Sequence, residues 1–491
     1  MKNIFQFFLI FLISSTLLAQ VSTEPNNEIH NYAKSLINKE HLQGAAFSFY
    51  VKDLESNHVI ADYNGSMIIP SASTMKLVTT ATASRILGSN YRFETKIMYS
   101  GEIDSVTGQL NGDLFLIGGG DPTLGSKYFN DEGKEREFLR EWADTIKAYG
   151  IKSINGRIIA DASKYEYNGV PAGWVWGDMG NYYGAGPSGL TIFDNMCKLE
   201  FKTGQNAGDS TQIICIEPYI PGLTLENRVT SANSSRDNAY VYGAPYSDDW
   251  FVEGSIPKQR ESFIVKASIP DPEYLAAIEL HHAIENAGIP VKYRATTNRE
   301  LNKNKKFNRP KLNLIYTNLS PSLASIMNWV NQYSINLFAE HVLCEISYKN
   351  NGYGSTYNGA NYCMRYWKSK IGGGLFMTDG SGLSRSNAVS SKFLVELLAY
   401  MNKSSSDRVF KKTLAIAGKK GTMRSIGKGT SASGRVYGKS GTMNRIKSYA
   451  GYVDTKSGKK LAFAMIINNH SCSNSQMKKY FQYLMVKMAN Y

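Results

Sequence analysis

Pro70–Thr80 reads PSASTMKLVTT, with Ser73 three residues ahead of Lys76. Pro70 and Ser71 stand just before the pair, and an uninterrupted helical pattern runs on to Gly88, a good residue for ending a helix. Side chains three apart project from one helix face. A first helical turn also carries free backbone N–H groups and the positive end of the helix dipole. The spacing therefore predicts a hydroxyl and an amine within hydrogen-bond reach, where developing negative charge is favoured. A capped helix with a surface lysine uses the same residues. Ser-x-x-Lys recurs at Ser255–Lys258, Ser425–Lys428, Ser457–Lys460 and Ser475–Lys478, so only its setting separates the pair at Ser73. If Lys76 is to take a proton it must be neutral, against an ordinary pKa of about 10.4. Burial, the helix end and a second cation all lower it, so chemistry at Ser73 predicts another cation nearby.

The surrounding chain bounds what that chemistry can be. At 491 residues, 42% apolar and 20% charged, the protein is globular and long enough for two or three domains. Residues 1–20, with Lys2 ahead of an apolar run of about 15 residues, read as a secretory signal peptide, too short to span a membrane. Export to the periplasm or cell envelope follows from that reading, and it removes ATP- and NADH-dependent functions. The net charge of +14 then suits an acidic envelope polymer rather than nucleic acid. Basic residues in NKNKKFNRPK (302–311) read as a solvated linker. Five cysteines are too few for a disulfide scaffold; Cys197 and Cys215 flank two strand-like runs and can be read as a bridge or as two thiols. The seven histidines are scattered and no Cys-x-x-Cys occurs, so no metal site and no cofactor are expected. GDPTLGSK (120–127) inverts the Lys-Ser order that a phosphate-binding loop requires, which argues for a turn and against nucleotide.

Working outward, GAAFSFYVKDLESNHVIADYN (44–64) predicts a β-hairpin, with Phe47, Phe49 and Val51 alternating along one strand. The middle of the chain is rich in Gly, Asn, Tyr and short strand-like runs, and reads as β-rich. Helical texture resumes near Ser320. Two strands, SYAGYVDT and KLAFAMIINN, precede a final helix whose Met/aromatic face reads as core packing. The opening hairpin and these last strands are expected to share one sheet, leaving the middle as an insertion.

Two further clusters bear on Ser73. NQYSINLFAEHVL carries Ser334 and Asn336 at a break before a helical run. Such a hydroxyl can relay a proton, and the amide can hold both a carbonyl and a lysine; an ordinary N-cap is the simpler use. GRVYGKSGTMNRIKSYAGYV places Lys439, Ser440 and Gly441 on a strand. Lys439 would be the extra cation, Ser440 a hydroxyl for a carboxylate, and Gly441 would permit close backbone approach.

The order Ser-x-x-Lys, Ser-x-Asn, Lys-Ser-Gly resembles that of penicillin-recognising serine acyl-transferases. The long stretch between Ser73 and Ser334, together with NGDLFLIGGGDPTL, WGDMGNYYGAGPSGL, TDGSGLSRSNAVS and AGKKGTMRS, resembles the D-alanyl-D-alanine carboxypeptidase/endopeptidase family, the low-molecular-mass class C penicillin-binding proteins of peptidase family S13. Ser440 stands where Thr is frequent, and Ile335 where Asp is frequent. The resemblance implies an α+β, transpeptidase-like helix–sheet–helix domain formed by 21–92 and 313–491. It implies an inserted domain from 93–165 and 265–312, and a second nested one at 166–264. It also implies catalytic roles for Ser73, Lys76, Ser334, Asn336 and Lys439, substrate binding by Ser440, Gly441, Thr442 and Arg385, peptidoglycan stem peptides as substrates, and β-lactams as covalent inhibitors. A β-lactamase or esterase on the same fold, and a non-catalytic peptidoglycan-binding protein, are the alternatives.

Overall fold

The structure is a computed structural model that describes residues 28–303, 309–403 and 408–491. The signal segment and residues 304–308 of the basic run 302–311 lie outside the described residues. The alternation read in the opening hairpin is realised. Ala46–Asp53 pairs antiparallel with Val59–Tyr63 on one side and with Lys460–Asn468 on the other. Ile446–Asp454, Val436–Met443 and Ala415–Ile416 complete a six-stranded sheet, each antiparallel to its neighbour.

Successive side chains point to opposite faces of a strand, and both faces of this sheet are covered. Phe47, Phe49, Val51, Phe463, Met465 and Ile467 pack against helices Glu28–Leu36 and Asn474–Asn490. In the last helix Met477, Phe481, Leu484, Met485 and Met488 form the buried stripe, so its Met/aromatic face is core. On the other face Tyr50, Ala450, Tyr452, Ala462, Ala464 and Ile466 meet a helical layer built around Lys76–Ile86. Its first eight residues, Lys76 to Ala83, are all buried, and its threonines are satisfied there, Thr80 and Thr82 donating to the carbonyls of Lys76 and Val78 and Thr79 to that of Gly380.

The insertion carries its own apolar core. Its five-stranded sheet runs Thr296–Thr297, Ile158–Asp161, Leu114–Ile117, Glu94–Tyr99, Asn313–Leu319. Two three-stranded sheets are nested within it: Gln212–Glu217, Met196–Lys202, Phe263–Ser268, and Thr224–Ala232, Asp249–Pro257, Asn238–Tyr242. The strand texture read from sequence misses two long helices, Glu137–Ala148 and Pro272–Asn286, and two short ones, Trp176–Met179 and Asn298–Asn302. Glu137–Ala148 buries Leu139, Trp142, Ala143 and Ile146 at helical spacing; Asp271 caps Pro272–Asn286, with Pro272 at its first turn. Asn313–Leu319 pairs with Glu94–Tyr99, so the second segment expected for the helix–sheet–helix domain, 313–491, begins as an edge strand of this five-stranded sheet. Cys215 stands opposite Glu200 on the exposed face while Cys197 is buried, and both are free thiols, so the strands that flank them do not bring them together.

Candidate active site

Ser73 does not sit within the α-helix. It lies in a tight 3-10 turn, Ala72–Met75, and the α-helix begins at Lys76. The chain enters this turn through Ala72 at φ 49°, a left-handed conformation unfavourable for a residue with a Cβ. Surrounding groups hold it there. The carbonyl of Ser71 accepts from the hydroxyls of Thr74 (2.9 Å) and Ser448 (2.5 Å). A Cβ on Gly441 would come within 2.5 Å of Ser71 O and 3.0 Å of Ser73 N, so only glycine lets the strand lie this close.

Lys76 is fully buried, and its Nζ meets three oxygens: Ser73 Oγ at 3.0 Å, Asn336 Oδ1 at 2.6 Å and the Ser381 carbonyl at 2.6 Å. Burial pulls its pKa down to about 7, against the opposing pull of Glu340 and Asp379. A neutral amine has two N–H bonds and one lone pair. The two carbonyl oxygens can only accept, so they take the two N–H bonds and leave the lone pair facing the Ser73 hydroxyl.

The other two clusters converge on this point. Ser334 occupies the left-handed position (φ 66°, ψ 35°) between helices Leu323–Tyr333 and Asn336–Asn351. It terminates the first helix rather than capping the second. Lys439, also fully buried, donates to Ser334 Oγ at 2.8 Å and to the Ser440 carbonyl at 2.7 Å. Burial first, then Lys76 and Lys447, hold its pKa well below the ordinary lysine value. Asn336 donates to the Tyr183 carbonyl at 2.8 Å, which fixes its oxygen toward Lys76. Ser440 turns its hydroxyl to Thr422, 2.8 Å away. Thr442 and Arg385 are exposed, and with Ser73, Ser334, Asn336 and Gly382 they line an open cleft of about 460 Å³.

Several contributors are given no role by the sequence alone, though some lie in the quoted stretches TDGSGLSRSNAVS and WGDMGNYYGAGPSGL. The Ser381 carbonyl is set by a loop folded around Asp379, which accepts from Trp174 Nε1 and from the backbone N–H groups of Gly382 and Ser384. Glu340, buried and shifted upward in pKa by burial and by Asp379, accepts from the N–H groups of Gly380 and Ser381. Asp178 and Tyr183 form the wall beside Arg385. Burial raises the Asp178 pKa, while the Tyr183 phenol and Arg385 counter it. Among the described residues, no group of three or more His, Cys, Asp or Glu is placed to hold a metal ion.

Known proteins share this chain's pattern over nearly its whole length. The profile of the D-Ala-D-Ala carboxypeptidase 3 (S13) family matches residues 30–490. The chain belongs to the S13 family. That membership makes it a serine-type D-Ala-D-Ala carboxypeptidase. This S13 carboxypeptidase is 25% identical over 452 residues to D-alanyl-D-alanine carboxypeptidase DacB of Haemophilus influenzae, covering 89% of this chain and 88% of the other. It is 26% identical over 476 residues to a D-alanyl-D-alanine carboxypeptidase of Actinomadura sp., covering 93% and 84%. Its fold matches the crystal structure of penicillin-binding protein 4 from H. influenzae with a TM-score of 0.81 at 23% identity, over 95% of this chain and all (100%) of that one. A structure of the same H. influenzae protein complexed with a β-lactam matches with a TM-score of 0.74 at 22% identity, over 95% and 100%. No helix of the described residues is long and apolar enough to cross a membrane.

Proposed function

We propose that Ser73 is the nucleophile of a two-step acyl transfer that removes the terminal D-alanine from peptidoglycan stem peptides. The observation that carries this is the arrangement around Lys76 Nζ, whose two carbonyl acceptors leave its lone pair for the Ser73 proton. Lys76 takes that proton as Ser73 attacks the carbonyl between the two D-alanines. Ser334, held by Lys439, relays that proton from Lys76 to the departing amine, regaining one proton as it gives one up, so the leaving group departs neutral and the base is free again. The backbone N–H groups of Ser73 and Thr442 stabilise the oxyanion; losing one such donor typically costs about 10²–10³ in rate. Lys439, Ser440 and the Thr442 hydroxyl receive the terminal carboxylate, and Gly441 supplies the clearance. Arg385, beside Asp178, engages the side chain of the stem peptide. Water, activated by the same base, then hydrolyses the ester.

The same chemistry cuts a D-Ala–diaminopimelate crosslink, so endopeptidase action belongs to this reading, as does acylation of Ser73 by β-lactams. The match to a penicillin-binding protein solved with a β-lactam supports that last point. Substrates of this kind lie in the cell envelope, where the signal segment would deliver the protein. The test uses purified protein, a stem pentapeptide and a labelled penicillin. Release of D-alanine and a label persisting for many minutes on the Ser73 peptide are expected, and Ser73→Ala abolishes both. Undiminished D-alanine release by Ser73→Ala overturns the mechanism, and rapid turnover of the label would make the protein a β-lactamase.

A further inference from the structure

Thr442 and Lys447 face each other directly in the antiparallel register of Val436–Met443 and Ile446–Asp454. Lys447 Nζ donates to Thr442 Oγ1 at 2.6 Å. The lysine is only 9% exposed, and its stem runs beside Tyr449, with Nζ 5.4 Å from the ring centroid. No carboxylate among the described residues lies within ion-pair distance of it. The groups coupled to it are basic rather than acidic: Lys478, which lowers its pKa, and Lys439 and His470, whose own pKa values it lowers in turn. A buried ammonium without a counter-ion is costly, and proteins ordinarily pair one. Here its hydrogen-bond partner, Thr442, lines the cleft. A hydroxyl that accepts from an ammonium has its oxygen engaged, so its proton must point elsewhere, and the bond it donates is strengthened. For Thr442 that direction is the cleft shared with Ser73 and Ser334.

We infer that Lys447 is a specificity-determining positioning residue: acting through Thr442, it aims and polarises the hydroxyl toward the free carboxylate of the substrate, and that carboxylate becomes its missing counter-ion. The inference rests on the proposed peptidase reading, to which it adds a charge from the neighbouring strand that the three sequence clusters do not contain. Lys447 touches no reacting atom.

The quantity to read is the ratio of kcat/KM for a stem peptide ending in D-Ala–D-Ala to that for the same peptide ending in D-Ala–D-Ala amide. Lys447→Met keeps the apolar stem and removes the charge. It lowers the ratio about tenfold, chiefly through KM, because a charge-assisted hydrogen bond is roughly twice as strong as a neutral one. Lys447→Arg restores most of the ratio. Thr442→Val, at an exposed position, lowers the same ratio, and adding Lys447→Met to it lowers the ratio no further. An unchanged ratio in Lys447→Met, or additive losses in the double variant, overturns the inference. A uniform fall for both peptides would reduce Lys447 to a structural role and overturn it equally. If Lys447→Met fails to fold, Lys447→Gln takes its place in the same comparison. Failure of the unaltered protein to release D-alanine would instead overturn the peptidase reading, so the two failures are distinguishable.

Discussion

Lys76 shows how burial turns an ordinary lysine into a base. Its pKa of about 7 means that kcat/KM should rise with pH through that value as the amine loses its proton, which a pH–rate profile measures. Lys76→Met should lower the acylation rate by about 10²–10⁴, read with a labelled penicillin. The same group leaves a mark on folding. The folded amine titrates near 7 and the unfolded one near the ordinary 10.5, so between those values the unfolded chain binds more protons. Stability contributed by this group therefore grows as pH rises through that window and falls away toward its lower end. Urea melts at several pH values should show a flatter dependence for Lys76→Met than for the unaltered protein. Ser73 and Lys76 are legible in the sequence because one helical turn fixes their spacing. The Ser381 and Tyr183 carbonyls that orient the site are not, since any residue type supplies a carbonyl and only the fold decides where it points.

At the scale of elements, the site is built from junctions rather than from the middles of helices and strands. Ser334 ends one helix in a left-handed conformation that glycine adopts without penalty. Ser334→Gly should therefore keep or slightly raise the melting temperature, by up to about 1 kcal/mol of stability, while acyl transfer drops about 10²-fold. That separation of stability from activity would mark the hydroxyl as functional. Gly441→Ala should do the opposite and disturb both. Its Cβ would collide with Ser71 O at 2.5 Å, pushing the strand off the turn that carries Ser73, which calorimetry and β-lactam acylation would register together. The sequence suggests Ser73 in a first helical turn and Ser334 at an N-cap; both readings are one register away from the structure. Helix propensity does not distinguish a 3-10 turn from the start of an α-helix, and nothing in Tyr-Ser-Ile announces a left-handed serine.

Across the whole molecule, the insertion is tied to the chemistry. It donates Trp174 Nε1 to Asp379 at 2.9 Å and lends the Tyr183 carbonyl to Asn336 at 2.8 Å. Trp174→Phe should remove the first tie and leave a buried carboxylate short of a donor, at a cost of about 1–3 kcal/mol. A lower melting temperature with slower acylation is expected, because the loop that positions Ser381 loosens. The sheet made from both chain ends was legible from the alternation of Phe47, Phe49 and Val51 and from the apolar final strands. The helices at 137–148 and 272–286 were not, hidden in a glycine- and tyrosine-rich stretch whose neighbours read as strands.

Because Ala46–Asp53 takes its inner partner from Lys460–Asn468, the order of synthesis matters. Ser73 leaves the ribosome early, while Lys439 and the strand that braces it emerge near the end. A chain terminated before Lys439 thus carries Ser73 and Lys76 but lacks the strand whose Gly441 and Thr442 close the site beside them. The complete site is therefore assembled only once the last strands have joined the sheet.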